Sequence, residues 1–247
     1  MLLRRITKHI QEQNWFAVGV DFFIVVVGVF VGLQVQQWSA QRADRALEQE
    51  YIARMHSEVE DLASENRAFF NLKTEQERYQ ALSEVAPDLA GEATPTEMTP
   101  DHCAALVRSH IYFNEVVQAP TIVELMSSGR IFLLSDQRLR TAIIQYTQSS
   151  ARSSGILGNL RQDRRVLQRV HPQLIAMNPE DLWGSSAVCD WHAMRSSALF
   201  INDFTDNLSR YRAYSELILA PQHEAQRELH AELDRVLGIT HEGVETP

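Results

Sequence analysis

The chain has 247 residues, a formal net charge of −9 and nine histidines, with a pI near 5.5 and a mean hydropathy of −0.24. That acidic balance argues against nucleic acid as a partner, because such binding needs clustered Lys and Arg to displace counterions. The length leaves about 200 residues for one soluble domain once an apolar N-terminal segment is set aside, enough to bury a core.

Residues 15–38, WFAVGVDFFIVVVGVFVGLQVQQW, form one apolar run with a tryptophan at each end. Between Phe16 and Leu33 the only ionisable side chain is Asp21. About 20 helical residues cross a hydrocarbon core of about 30 Å, and interfacial tryptophans flank such spans. The run reads as a transmembrane helix after a short basic tail, 1–14. Its apolar stretch exceeds the h-region of a cleavable signal, and the following SAQRA offers no small-x-small cleavage site, so it reads as a retained signal anchor. Arg4, Arg5 and Lys8 before the span face Arg42 and Arg45 after it, a weak positive-inside bias. The short basic tail favours a cytoplasmic N-terminus, which puts the main domain in the periplasm of a bacterial inner membrane.

Residues 39–86 read as a long membrane-proximal helix, with no Gly or Pro from Gln34 to Ala86. Ile52, Met55, Val59, Leu62 and Phe69 recur at three- and four-residue steps, with Asn66 in the same stripe. The stripe fits a core-facing helix of the same domain, with a parallel coiled coil as the competing reading. The segment PDLAGEATPTEMTP, 87–100, reads as a loop, and Asp101 as the cap of a helix near 102–118. Pro120 restarts a short helix that Gly129 ends in a left-handed conformation. IFLL at 131–134 is too short to compel a strand.

Ser135 or Asp136 caps a long helix carrying Leu139, Ile143, Tyr146, Leu157 and Leu160 and reaching Val166 and Leu167; Gly155 and Gly158 inside it mark a weak point or a close helix contact. Residues 178–190 form a loop, Asp190 caps the next helix, and a last helical region runs from Ser197 to Leu237 with a kink or break at Pro221. The fold class is therefore all-α: a transmembrane helix, the helix 39–86, a helical bundle over 101–238 packed with it, and a flexible tail, 239–247.

Two stretches carry a resemblance. In GVDFFIVVVGVFVGLQVQQW the pieces are Val20-Asp21, Gly28, Gly32, Leu33-Gln34 and Trp38; in PTIVELMSSGRIFLLSDQRLRTAIIQYT, 120–147, a Glu-Leu helix reaches Ser-Gly, an apolar link and a capped helix ending near a tyrosine. Together they resemble an uncharacterised bacterial membrane family, domain of unknown function 6090. Asp21 stands where that family has Glu, and Gln36-Gln37 where it has asparagines. The resemblance implies a single-pass protein with a helical extracytoplasmic domain and implies no activity.

Chemistry-bearing residues are sparse. Asn14, Ala17, Asp21, Val25, Gly28 and Gly32 fall on one helical face. Small residues let helix backbones approach closely, and a carboxylate in hydrocarbon costs at least about 2.5–3.5 kcal/mol unless it faces a partner or water. That face reads as a site of self-association or of contact with another membrane protein, against the plainer reading that Asp21 lies near enough to the interface to be hydrated and has no role beyond topology. Cys103 and Cys189 are an even pair that can form a disulfide in an oxidising compartment, remain two thiols, or join His102 and His192 in a metal site.

No G-x-S-x-G, H-E-x-x-H, Walker or Rossmann motif is present. Glu115, Glu124 and His110 are weak acid–base candidates. Arg161, Arg164, Arg165 and Arg169 read as a solvated helix face rather than an anion site, and Trp183 and Trp191 as packing around the Cys189 loop. The expectation is a non-enzymatic interaction or sensing module with no cofactor, partnered by the lipid bilayer. The alternative is an accessory subunit of an ion-driven membrane complex with Asp21 as proton carrier, an analogy of layout alone.

Overall fold

The computed structural model describes residues 15–69, 72–91, 98–112, 118–181 and 184–240. These are mostly helical, and the chain divides into two compact units, 1–50 and 51–247. The second unit begins at Tyr51, inside the first helix rather than at its exit from the apolar run.

Helix α1, Trp15–Phe69, carries the apolar run. Its most apolar eighteen-residue window has a mean hydropathy of 1.9 and is wholly unburied. Phe22, Phe23, Ile24, Phe30 and Trp38 are all exposed. The Arg42 guanidinium stacks 4.3 Å from the Trp38 ring centroid, which joins a cation to the aromatic that closes the run.

Within the second unit the α1 stripe turns inward. Ile52, Met55 and Val59 are buried, so these seam positions are spent inside the domain, as expected of a core-facing helix. The side chains of Asn66 and Phe69 lie outside the described residues. The long helix expected over 39–86 is instead α1 followed by α2, Leu72–Leu89, with residues 70–71 outside the description.

Helix α2 runs through Pro87, where the sequence suggests a loop. In the last turn that proline forfeits one helical hydrogen bond. Asp88 and Leu89 beyond it are buried, and the Asp88 carboxylate takes a two-pronged grip from Arg195, at 2.8 and 2.9 Å. Tertiary contact outweighs the local signal.

Helix α3, Pro100–Arg108, is capped by Thr99 and not by Asp101. The Thr99 hydroxyl accepts from the His102 amide while His102 Nδ1 accepts from the Thr99 amide, at 3.0 Å. A histidine here closes the capping box that Glu or Gln usually closes. The helix ends at Arg108, well short of 118, and residues 113–117 lie outside the description.

Helix α4, Pro120–Ser127, ends as expected at Gly129, with φ 71°, and Arg130–Leu133 form a 3-10 turn. Helix α5, Gln137–Arg161, is capped by Asp136 through the Leu139 amide. It stops before Val166 because Asp163 adopts φ 53°, and Leu167–Val170 form a separate one-turn helix, α6. A Cβ added at Gly155 or Gly158 meets nothing within 4 Å, so neither glycine marks a close helix contact.

One strand pairing interrupts the helices: β1, Ile175–Ala176, runs antiparallel to β2, Val188–Cys189. Helix α7, Trp191–Arg195, is capped by Asp190. Helix α8, Ala198–Tyr214, passes through a π turn, Ser215–Leu219, into α9, Ala220–Leu237. Pro221 has no N–H for the preceding turn and crowds its carbonyl, and the wider π turn accommodates that loss without ending the helix.

Helix α8 supplies Phe200, Phe204, Tyr211 and Tyr214 to a core shared with Leu82 and Val85 of α2, Leu106 of α3 and Leu157 of α5. Helix α9 packs along α5, burying Leu229 and Leu233 on one side and Leu139, Ile143 and Tyr146 on the other.

Candidate functional site

The face proposed from sequence lies on α1. Asp21, Val25, Gly28 and Gly32 follow one another at four- and three-residue steps along a continuous helix, which places them on one side. All are exposed. A Cβ added at Gly28 or Gly32 meets no atom within 4 Å, so no described residue of the first unit occupies the space beside them. The side chain of Ala17 and all of Asn14 lie outside the described residues.

In the second unit, Cys103 and Cys189 are joined in a disulfide, Cα atoms 5.8 Å apart, closing 86 residues of sequence. It ties α3 to β2. With both sulfurs bonded to each other, the Cys/His metal quartet fails as a reading. His102 is engaged elsewhere: Nδ1 with Thr99 and Nε2 with Glu84, at 3.0 Å. That bond holds the Glu84 carboxyl below its ordinary range.

The acid–base candidates are not brought together. The Glu124 carboxylate accepts from the Tyr51 hydroxyl at 2.7 Å and from Arg54 at 3.3 Å, and the Tyr51 bond leads the lowering of its pKa. Glu115 lies outside the described residues. His110 is half-buried, and desolvation followed by the charge of Arg164 pushes its pKa down. The arginines expected on one helix face are divided by the left-handed turn at Asp163. Arg161 ends α5 and donates to the Tyr112 carbonyl at 3.3 Å, while Arg165 lies beyond the turn and reaches Asp203 at 3.6 Å. Trp191 packs partly buried against the core; Trp183 lies outside the described residues.

Two buried polar knots hold the bundle. Arg78 of α2 donates to Glu75 at 3.1 Å and to the Tyr211 hydroxyl at 3.2 Å, and that hydroxyl donates in turn to Glu75. Burial pushes the Tyr211 phenol far up, which keeps it a donor. Asn207 of α8, fully buried, donates to Ser109 at 2.9 Å and to the Arg165 carbonyl at 2.8 Å, and accepts from the Arg165 amide at 3.2 Å. It fixes the turn after α5.

The cluster with ligand character is elsewhere. His56 and Glu60 of α1 meet His230 of α9 with candidate ligand atoms all within 4.8 Å of one another. Each pair of partners, His56 with Glu60 and His230 with Asp234, is spaced four residues on its helix. That spacing is visible in the sequence, but 170 residues separate the pairs, and only the packing of α9 brings them together. No family model matches the chain, and no curated protein and no solved structure is similar to it.

Proposed function

We propose that this chain is a single-pass inner-membrane protein with its N-terminus in the cytoplasm, and that its helical domain serves in the periplasm as a non-enzymatic interaction or sensing module. The observation that carries this reading is the apolar α1 window, hydropathy 1.9 and wholly unburied. An eighteen-residue apolar surface of this kind is costly in water and matched to hydrocarbon. The disulfide supports a periplasmic domain, since such bonds persist in oxidising compartments.

Association occurs through the face of Asp21, Gly28 and Gly32, where small residues allow a second helix to approach and a neighbour can satisfy the carboxylate. The test is oligomer size in detergent. The double variant Gly28→Leu/Gly32→Leu is expected to run smaller than wild type on size exclusion with light scattering. Equal sizes would reject the interface. The ion-driven alternative makes a separate demand: Asp21→Asn must abolish function while leaving insertion and abundance intact.

A further inference from the structure

Two helix segments far apart in sequence meet in a ring of nitrogen and carboxylate atoms. The His56 and His230 imidazoles stack with centroids 5.3 Å apart and planes 20° from parallel. Asp234 addresses both from one side: Oδ1 lies 2.9 Å from His56 Nε2, and Oδ2 lies 3.5 Å from His230 Nδ1. Glu60 addresses the opposite nitrogens: Oε2 lies 3.6 Å from His56 Nδ1, and Oε1 lies 3.9 Å from His230 Nε2.

An ionised carboxylate only accepts, so Asp234 assigns the proton to His56 Nε2 and draws that of His230 to Nδ1. In a neutral ring the other nitrogen then carries its lone pair. The lone pairs of His56 Nδ1 and His230 Nε2 therefore turn toward the same side as the Glu60 carboxylate. Three acceptors facing one space repel one another unless a metal cation, or a second proton on each imidazole, lies among them.

The spacing suits a small one. Ligands held about 2.0–2.1 Å from a tetrahedral zinc lie about 3.4 Å from each other; each imidazole lies close to that from one Glu60 oxygen, at 3.6 and 3.9 Å, and one ligand atom from each of the three residues falls within 4.8 Å of the others. Glu60 is about half exposed, at 47 %, so its side chain can close the difference. Two imidazoles select a borderline transition ion over magnesium or calcium, which take oxygen ligands. A carboxylate on the far nitrogen of each ligating histidine is the arrangement that orients imidazoles toward zinc.

We infer that His56, Glu60 and His230 bind a zinc ion, with Asp234 orienting the two imidazoles and the exposed side open to a water molecule as fourth ligand. Bound there, the ion clamps α1, just beyond the point where the second unit begins, to the last helix of the domain. The site lies wholly within the second unit and stands whether or not the reading of the apolar run holds.

The test uses the full chain in detergent, stripped with EDTA and titrated with zinc chloride by calorimetry and with cobalt chloride by visible absorption. One zinc per chain is expected, with Kd below about 10 µM, together with cobalt ligand-field bands that zinc displaces. Glu60→Gln and His230→Gln are each expected to weaken binding at least about tenfold, and Asp234→Asn by about 10- to 100-fold. Glu60 is exposed, so its variant keeps the fold, which circular dichroism verifies. Binding weaker than the stated limit, or zinc uptake that Glu60→Gln and Asp234→Asn leave unchanged, overturns the site; the cluster is then an ion-pair group of protonated imidazoles.

Discussion

The disulfide offers the most quantitative test of how this domain is held together. Cys103 and Cys189 close 86 residues of sequence, from α3 across α4, α5, α6 and β1 to β2. In the unfolded chain that link removes loop-closure entropy, and for a loop of this length the loss corresponds to about 4.6 kcal/mol at 25 °C. A domain of about 200 residues gains about 2–4 °C in Tm per kcal/mol, so the bond is worth about 9–18 °C. Cys103 is buried, so the replacement should be Cys103→Ala/Cys189→Ala, which places no hydroxyl in the core. The assay is thermal unfolding by circular dichroism of oxidised wild type, of wild type in reductant, and of the double variant, with non-reducing mass spectrometry to show the bond state of each. The reduced protein and the variant should melt together, well below the oxidised protein. If mass spectrometry finds the bond intact and the three melt within about 3 °C of one another, the entropic reasoning is refuted. If protein taken from membranes carries free thiols at both positions, the periplasmic assignment fails with it.

Three further outcomes follow from named contacts. Arg195→Ala leaves the Asp88 carboxylate, 2 % exposed on its side chain, charged and without its guanidinium. The expected cost is about 3 kcal/mol, read as a shift in urea midpoint, with Asp88→Asn/Arg195→Met recovering much of it. Gly184 has φ 71°, and a Cβ there would lie 2.8 Å from Val107 Cγ1 and 3.2 Å from Met177 Cε. Gly184→Ala should therefore destabilise by more than about 1 kcal/mol, whereas Gly155→Ala, inside α5 where space is open, should stabilise by about 0.5–1 kcal/mol. Stability should fall on the acid side. Glu84, Glu124 and Asp136 are held below their ordinary range, chiefly by His102, Tyr51 and Arg235 respectively. The unfolded chain therefore takes up protons first as pH drops, so their contribution is present above the ordinary carboxylate range and is lost as pH falls through the folded values. His110 is also lowered, first by burial, from an ordinary 6.5. The unfolded ring binds the proton more tightly, so stability declines on acidification below about pH 6.5 and is complete above it. Urea midpoints at about pH 7.5 and about pH 5.5 should differ in wild type and converge in His110→Gln; an unchanged difference refutes that assignment.

The sequence was most legible where local chemistry acts alone. The cap at Asp136, the left-handed Gly129 and the inward stripe of Ile52, Met55 and Val59 each follow from a few neighbouring residues. It misled where a distant partner outweighs the local rule. Pro87 reads as a terminator, yet α2 continues because Arg195 grips Asp88 from 107 residues away. Arg164 and Arg165 read as helical until Asn207 is found holding the Arg165 backbone. The His56 cluster was hidden for the same reason: His-x-x-x-Glu on one helix and His-x-x-x-Asp on another are ordinary spacings, and their meaning lies in which helices pack.

These long-range contacts share a direction. The second unit begins at Tyr51, and the first turns of α1 beyond that point are held by polar side chains as well as by apolar burial. Tyr51 and Arg54 are tied to Glu124; Glu58 accepts from both the amide and the hydroxyl of Thr121, at 2.8 and 2.7 Å; His56 is tied to Asp234. Two opposite faces of about two helical turns thus engage α4 and α9 respectively. Apolar contacts alone would allow α1 to slide or rotate on the bundle, because burial is nondirectional. Hydrogen bonds of defined geometry fix its register instead. The helix that carries the apolar run is thus fixed in register where the second unit begins. On the zinc inference, the His56 cluster is a place in that grip where an ion from solution tightens it.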